Sequence, residues 1–371
     1  MIATRAIFGS IQSQPPAPPD RAAGDMRLEM PTLSLGLVHH HAATRPGFCL
    51  TGGGAEGHAE IMRIVTFNVQ NLRLRHRAGR PRFDGARDHD VPEDNTPDTG
   101  ALDLADRRLT SAVLAQADAD VICLQEVFNL ATLEFFHDHL MHHAGAHSYP
   151  HRICFPGNDG GGRDLAVLSR RPLHDVRSHA PLTPDDLGLP VPVGMRSDAP
   201  VFRRDCLTFR VGDLNLFHCH FKAPWPDLRR AWPIRRLEAL AVRKLVESRC
   251  GTDPAALWLV LGDLNEPSDS SGQDPAISPL LPPFSVDLLA RMPKDERWTF
   301  YNAQDDHYAC PDAMLASPAV AQRWPRALPQ ALRAGLDRAA HRATEVRLPD
   351  VGPHRPHASD HAAIVLDLED L

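Results

Sequence analysis

The sequence predicts an α/β fold over residues 62–371, and three observations carry that prediction. Short unbroken apolar runs recur, such as Val121–Leu124 and Leu257–Leu261, the form taken by strands buried on both faces. Stretches of helical periodicity lie between several of them. Most of these runs also begin or end on a polar residue, and in α/β folds the strand ends are where side chains are aimed into a cleft.

In chain order, residues 1–61 have a different texture from the rest. Pro15, Pro16, Pro18 and Pro19, then Gly52 to Gly54, interrupt every periodic pattern, so the segment reads as a disordered extension. The abrupt change at Met62 is also what a start codon assigned too far upstream would give, with the true start near Met62. Ile64–Phe67 is the first strand and ends on Asn68, with Asn71 just after it. Residues 75–100 are polar and rich in Pro and Gly, and are expected to form a long loop. A helix follows over about Leu104–Ala117, with Leu104, Leu109, Val113 and Leu114 on one side. Val121–Leu124 runs into Gln125 and Glu126, and a second helix covers about Leu130–His143.

Gly160 to Gly162 precede a strand, Arg163–Ser169. The Pro-rich residues 181–200 read as loop. Phe202–Val211 and Leu214–Phe221 form a hairpin about Gly212 and Asp213, placing His218 and His220 on one face. Pro233 is expected to open a helix running to about Ser248. The central run Leu257–Leu261 then stops at Gly262, Asp263, Leu264 and Asn265. Asp312–Ala316 and Ala362–Leu368 complete the strands, the latter after Ser359, Asp360 and His361.

Composition bounds the function. The chain has 371 residues, 43% hydrophobic and 23% charged, which suffices for a large core. A net charge of -7 argues against binding nucleic acid by bulk electrostatics, although a local basic cleft remains compatible with it. Seven scattered cysteines without a Cys-x-x-Cys pair fit reduced thiols better than a disulfide framework or a zinc site. No apolar run approaches the roughly 18 residues of a membrane helix, and no signal peptide is evident. The default expectation is therefore a cytoplasmic protein without a membrane span, a monomer.

The polar residues at the strand ends are chemically coherent. Several carboxylates with amide oxygens suit a hard cation such as Mg²⁺ or Mn²⁺ rather than zinc. Histidines beside them can stabilise charge developing on a phosphate, and an aspartate can position an attacking water. Each residue taken singly also has a plainer reading. Gly-Asp-x-Asn is ordinary turn chemistry; Glu126 fits a solvated loop start, Asn68 a cap, His220 a surface histidine, and Asp312 and Asp360 turn residues.

Together, Met62–Leu72, Asp120–Val127, Asp164–Arg170, Gly262–Asn265 and Ser359–His361 resemble, in sequence and order, the endonuclease/exonuclease/phosphatase family. The resemblance implies a four-layer sandwich of two packed mixed β-sheets flanked by helices, with the cleft at one rim. It also implies roles. Glu126 is the principal Mg²⁺ ligand, with Asn68 beside it and Asp360 completing the metal shell. Asp263 orients or deprotonates the water and Asn265 holds the scissile phosphate. His220 and His361 stabilise the developing charge, Asp312 orients His361, and Arg204 contacts phosphate. Two departures stand out: Gln70 occupies a position where many relatives carry an acid, and Cys310–Ala313 replaces the usual residues around the Asp312 strand.

The resemblance implies Mg-dependent hydrolysis of phosphate esters, with Mn²⁺ able to substitute, by a phosphodiesterase or nuclease. A phosphatase or a phospholipid phosphodiesterase of the same fold is the alternative, and a binding protein that lost turnover is the rival from another class. Nucleic acid is one candidate substrate, and Arg229, Arg230, Arg235 and Arg236 could serve its phosphates or form a solvated helix face. Fold alone does not choose among these.

Overall fold

The computed structural model describes residues 60–87, 99–267 and 274–371. The extension expected over 1–61 lies outside them except for Glu60 and Ile61. The first strand already begins at Ile61, one residue before Met62, with Ile61 paired to Glu369.

The strands are β1 (Ile61–Leu72), β2 (Leu74–Arg77), β3 (Arg80–Phe83), β4 (Val121–Val127), β5 (His151–Cys154), β6 (Asp164–Ser169), β7 (His174–Ser178), β8 (Cys206–Val211), β9 (Leu214–His220), β10 (Trp258–Asp263), β11 (Val286–Asp287), β12 (Phe300–Asn302), β13 (His307–Ala309), β14 (Asp312–Ala316), β15 (Gln330–Leu332) and β16 (Ala363–Glu369). The α-helices are α1 (Thr99–Ala117), α2 (Leu130–Phe136), α3 (Pro184–Leu187), α4 (Leu228–Cys250) and α5 (Pro318–Arg323). Twelve strands build two mixed six-stranded sheets, in the orders β15-β16-β1-β4-β6-β5 and β11-β14-β10-β9-β8-β7.

Side-chain parity explains why the sheets stack. Along β1, Met62 and Ile64 join a core shared with Leu214, Leu216, Leu259, Leu261 and Met314 of the other sheet. The alternate residues Val65, Phe67 and Val69 pack outward against Leu109, Val113 and Leu114 of α1 and Leu133 and Phe136 of α2. In the second sheet, Phe217, Cys219 and Val260 face outward onto Leu237, Ala241 and Val242 of α4. The period of two along each strand thus makes three apolar interfaces and four layers. This is the sandwich that the resemblance implies.

Several elements differ from expectation for identifiable reasons. The segment 75–100 is expected from sequence to be loop, but 74–83 is the hairpin β2–β3; residues 88–98 lie outside the described residues. Its two-residue turn, Ala78 and Gly79, has positive φ at both positions (52° and 75°), as a type I′ turn requires. Alanine in that first position hid the signal. In α1, Leu104 is 37% exposed while Asp103, Asp106 and Arg107 are buried. Charge pairing overrides hydrophobic periodicity there, because Arg355 donates to Asp103 at 2.8 Å and to Asp106 at 2.5 Å. Pro233 does not open its helix but lies inside α4. Asp227 supplies an earlier cap by accepting from the Arg229 and Arg230 amides. The Phe202–Val211 strand begins only at Cys206. The second helix stops its α-geometry at Phe136 and continues as a π-turn over His137–Met141.

Candidate active site

The site is the polar end of the core between the sheets. Parity that sends Met62 and Ile64 inward also sends Thr66 and Asn68 inward on β1. The same rule turns His218 and His220 inward on β9, Asp263 on β10 and Asp312 on β14. Strand register then aligns them: Asp263 pairs with His220 on one side and with Asp312 on the other. Below this level, Gln125 Nε2 donates to Thr66 Oγ1 at 2.9 Å and meets His218 Nε2 at 2.7 Å, joining the two sheets. Burial holds His218 down to about 3, so it is neutral and its Nε2 accepts.

Asp263 sits at the centre. Its Oδ2 accepts from Asn68 Nδ2 at 3.1 Å and from Asn265 Nδ2 at 3.1 Å, and its Oδ1 from the Asn265 amide at 2.9 Å. His220 Nε2 lies 3.4 Å from the same Oδ2, and His361 Nε2 lies 3.9 Å from it. Burial pushes Asp263 up to about 7, with Asp312 adding to the rise and His361 opposing it. A carboxylate with that affinity for a proton is suited to exchanging one near neutrality.

The two histidines are set to opposite states. Burial, reinforced by Arg204, His361 and Arg163, holds His220 well below the ordinary imidazole range. Its approach to Asp263 is therefore that of a neutral ring, not an ion pair. Burial also works against the His361 cation, but Asp312, Asp360 and Asp263 outweigh it and hold His361 well above that range. Asp312 Oδ2 accepts from His361 Nδ1 at 2.9 Å and from Thr299 Oγ1 at 2.6 Å, which fixes the ring with Nε2 toward Asp263 and Asp360. Ser359 anchors this segment by donating to the Asn68 carbonyl at 2.7 Å.

Glu126 reaches the site by a different route. Gln125 faces inward, so an unbroken β4 would turn Glu126 outward. A register shift between Gln125 and Val127, with Glu126 at φ 66°, turns it back toward the site. Its Oε2 accepts from the Asn71 amide at 2.9 Å, and its Oε1 lies 4.0 Å from His220 Nε2. Gln70 and Asn71 also have positive φ (47° and 58°). Buried Arg107 grips that turn, donating to the carbonyls of Val69 and Gln70 at 2.6 Å each.

The nine sequence-derived residues fall out unevenly. Asn68, Glu126, His220, Asp263, Asn265, Asp312, Asp360 and His361 come together through the contacts above. Asn68, expected as a metal ligand, directs its amide nitrogen at Glu126 Oε1 (3.4 Å) and Asp263, while its oxygen accepts from the Gln70 amide at 3.0 Å. Arg204 is buried close enough to His220 to oppose its protonation, donating to the Phe221 carbonyl at 2.7 Å and to Asp159 at 3.3 Å. Of the four arginines near α4, Arg235 is buried against the Lys222 carbonyl and Glu266, and Arg236 bonds Ser278; only Arg229 and Arg230 are exposed.

Sequence reasoning missed Arg163, whose Nε donates to Asn71 Oδ1 at 3.0 Å and lies 3.8 Å from Glu126 Oε2. Its place beside Gly160 to Gly162 was the only local hint. Gln70 was noted only for the acid it replaces. In the fold its Oε1 accepts from the Asp360 amide at 3.1 Å and meets His357 Nε2 at 3.2 Å, so it braces Asp360 instead.

Donor chemistry sets what cation could sit here. Among the described residues, no three or more His, Cys, Asp or Glu side chains form a closed metal cage. Mg²⁺ is commonly held through one or two carboxylates and keeps several waters. Glu126 and Asp360, partly exposed at the rim, fit that demand.

A family model described as the Endonuclease/Exonuclease/phosphatase family matches residues 65–361. Among solved structures, the endonuclease/exonuclease/phosphatase of Beutenbergia cavernae superposes with a TM-score of 0.50 at 18% identity, covering 83% of this chain and 71% of that one. An AP endonuclease from Archaeoglobus fulgidus (TM-score 0.46, 15% identity) covers 84% of this chain and 100% of its own. Truncated TDP2 of Caenorhabditis elegans (0.48, 16%) covers 83% and 97%. A search of curated protein sequences returned no match.

Proposed function

Because the chain belongs to the endonuclease/exonuclease/phosphatase family, whose members hydrolyse phosphoester bonds, we propose that it is a Mg²⁺-dependent phosphodiesterase of nuclease type. The observation that carries this reading is the line Thr299–Asp312–His361–Asp263. A charged imidazole, oriented by one carboxylate, faces a second carboxylate of raised proton affinity.

In this reading Asp263 accepts a hydrogen bond from the attacking water and takes its proton as the oxygen approaches phosphorus. Asn68 and Asn265 keep the carboxylate aimed by donating to it. Asn265, just past the end of β10 at φ 53°, is also the residue this reading assigns to the scissile phosphate. His220 contributes a neutral ring and His361 a cation, both directed at the charge that builds on the phosphate oxygens. His361 can pass a proton to the leaving oxygen. Glu126 and Asp360 would hold the cation, Asn68 and Asn71 order Glu126, and Gln70 orders Asp360. Bound Mg²⁺ would supply Lewis-acid polarisation of the phosphate. Arg204 offers its guanidinium to the phosphate. No helix among the described residues is long and apolar enough to cross a membrane.

Hydrolysis of bis-p-nitrophenyl phosphate tests the proposal. EDTA should abolish it and Mg²⁺ or Mn²⁺ restore it, and Glu126→Gln should lower it by about 100-fold or more. Undiminished rates in EDTA, or in His361→Ala, would refute it.

A further inference from the structure

The connection between β9 and α4 leaves the site directly, and it carries an unusual side chain. Trp225 is 77% exposed, whereas Trp258, Trp298 and Trp324 are only 6–8% exposed. Tryptophan is highly buried on average, so an isolated exposed indole calls for a reason. Among the described residues its ring meets no aromatic or cationic partner. It lies five residues beyond His220, within about 18 Å by chain length.

The backbone beneath Trp225 is held in place. Lys222 Nζ donates to the carbonyls of Ala223 at 2.9 Å and Trp225 at 2.6 Å. Asp227 closes the segment by capping α4. The buried carboxylate of Glu238 accepts from the Arg203 amide on one oxygen and the Lys222 amide on the other, both at 2.8 Å, so these two basic residues stand side by side. Arg204 is fastened to the Phe221 carbonyl at 2.7 Å. Arg203, Arg229 and Arg230 are exposed. In a chain of net charge -7, three exposed arginines, Arg203, Arg229 and Arg230, therefore lie on the segments that hold or follow Trp225, with Asp227, 3.6 Å from Arg230, the one acid in the stretch 221–230.

We propose that Trp225 and this basic ledge form a base-stacking subsite, so that the substrate is a single-stranded nucleic acid whose nucleobase stacks on the indole while Arg203, Arg229 and Arg230 meet the flanking phosphates. The proposal rests on the phosphodiesterase reading and narrows its substrate class. Cations following the backbone around an aromatic platform are the general means of holding a single strand. A bilayer is the poorer match. Membrane insertion needs a continuous apolar face, and here Pro224, Pro226, Asp227 and the arginines surround one ring.

The test measures binding, by fluorescence anisotropy, of two hydrolysis-resistant phosphorothioate strands of equal length: one with bases, one abasic. The full chain should bind the base-bearing strand more tightly. Trp225→Ala should weaken that strand alone by about 5- to 150-fold, the range for one stacked base, while Trp225→Phe keeps most of the preference. Equal binding of both strands by the wild type, or an undiminished preference in Trp225→Ala, overturns the proposal. So does Trp225-dependent binding to phosphatidylserine-containing vesicles without any base preference, which would assign the ring to lipid. Failure of the underlying reading is separate: the wild type with Mg²⁺ would then hydrolyse no phosphodiester, whatever the strands do.

Discussion

Replacing Gly262 by alanine should damage both stability and activity, and the structure sets the size of each effect. Gly262 lies within β10 at φ 130°, a region L side chains rarely enter. An added Cβ would stand 2.0 Å from the Cys219 carbonyl oxygen and 3.0 Å from its carbon. Those atoms are backbone of β9, so no rotamer change relieves the overlap. The strained φ costs about 1–3 kcal/mol, and forcing the strands apart costs on the order of 1–3 kcal/mol more. The sum, about 2–6 kcal/mol, lowers Tm by about 4–12 °C at the ~2 °C per kcal/mol expected for a domain of this size. Gly212→Ala is the control: it has φ 54° but nothing within 4 Å, so only the strain applies and the Tm shift should be a few degrees at most. Displacing β9 from β10 also moves His220 against Asp263, and a misplacement of about 1 Å can cost on the order of 100-fold in rate. Differential scanning calorimetry and diester hydrolysis well below Tm read the two effects. If Gly262→Ala melts with Gly212→Ala and keeps wild-type turnover, the close approach is not what holds the site together.

Asp312→Asn removes the charge that orients and protonates His361. With a charge-assisted hydrogen bond worth ~1.5–3 kcal/mol, kcat should fall about 10- to 150-fold. The His361 titration, followed by imidazole NMR, should move to lower pH because its main stabilising carboxylate is gone; an unmoved titration would contradict the assigned contact. Glu238 supplies a stability test away from the site. Burial pushes it from 4.5 up to about 7. Between those values the native state holds a proton that the unfolded state has lost, so stability falls as pH rises through that window. The group's share is ~3 kcal/mol, and Glu238→Gln should remove it from the pH dependence of the urea midpoint. Arg163→Met should raise KM for diesters several-fold with a smaller effect on kcat, if its guanidinium contributes to phosphate binding beside Glu126; a change in kcat alone would instead give it a role in ordering Glu126.

Much of the site was legible in the sequence because strand geometry is local. Residues two apart share a face, so the apolar inward positions of β1, β9, β10 and β14 carry Asn68, His220, Asp263 and Asp312 to the same side. Helix extents were less legible. The burial of Asp103 and Asp106 depends on Arg355, about 250 residues away in the chain, and that of Arg107 on the carbonyls of Val69 and Gln70, and no local pattern announces such pairing. The same holds for Arg235, which reads as part of a basic surface but is buried against Glu266.

By itself, then, the sequence determined the alternation of strands and helices, the identity of the polar strand ends and the family whose order they share. Periodicity and residue chemistry are enough for that. Only the tertiary structure decided how those ends meet. Glu126 would point away from the site on a regular strand, and a bulge at positive φ, matched by the turn at Gln70 and Asn71 under Arg107, is what turns it inward. Gly262 looked like a turn residue and proved to be the place where two strands pass too closely for any Cβ. Both outcomes depend on which backbone lies across the sheet, and that is set by packing between segments far apart in the chain.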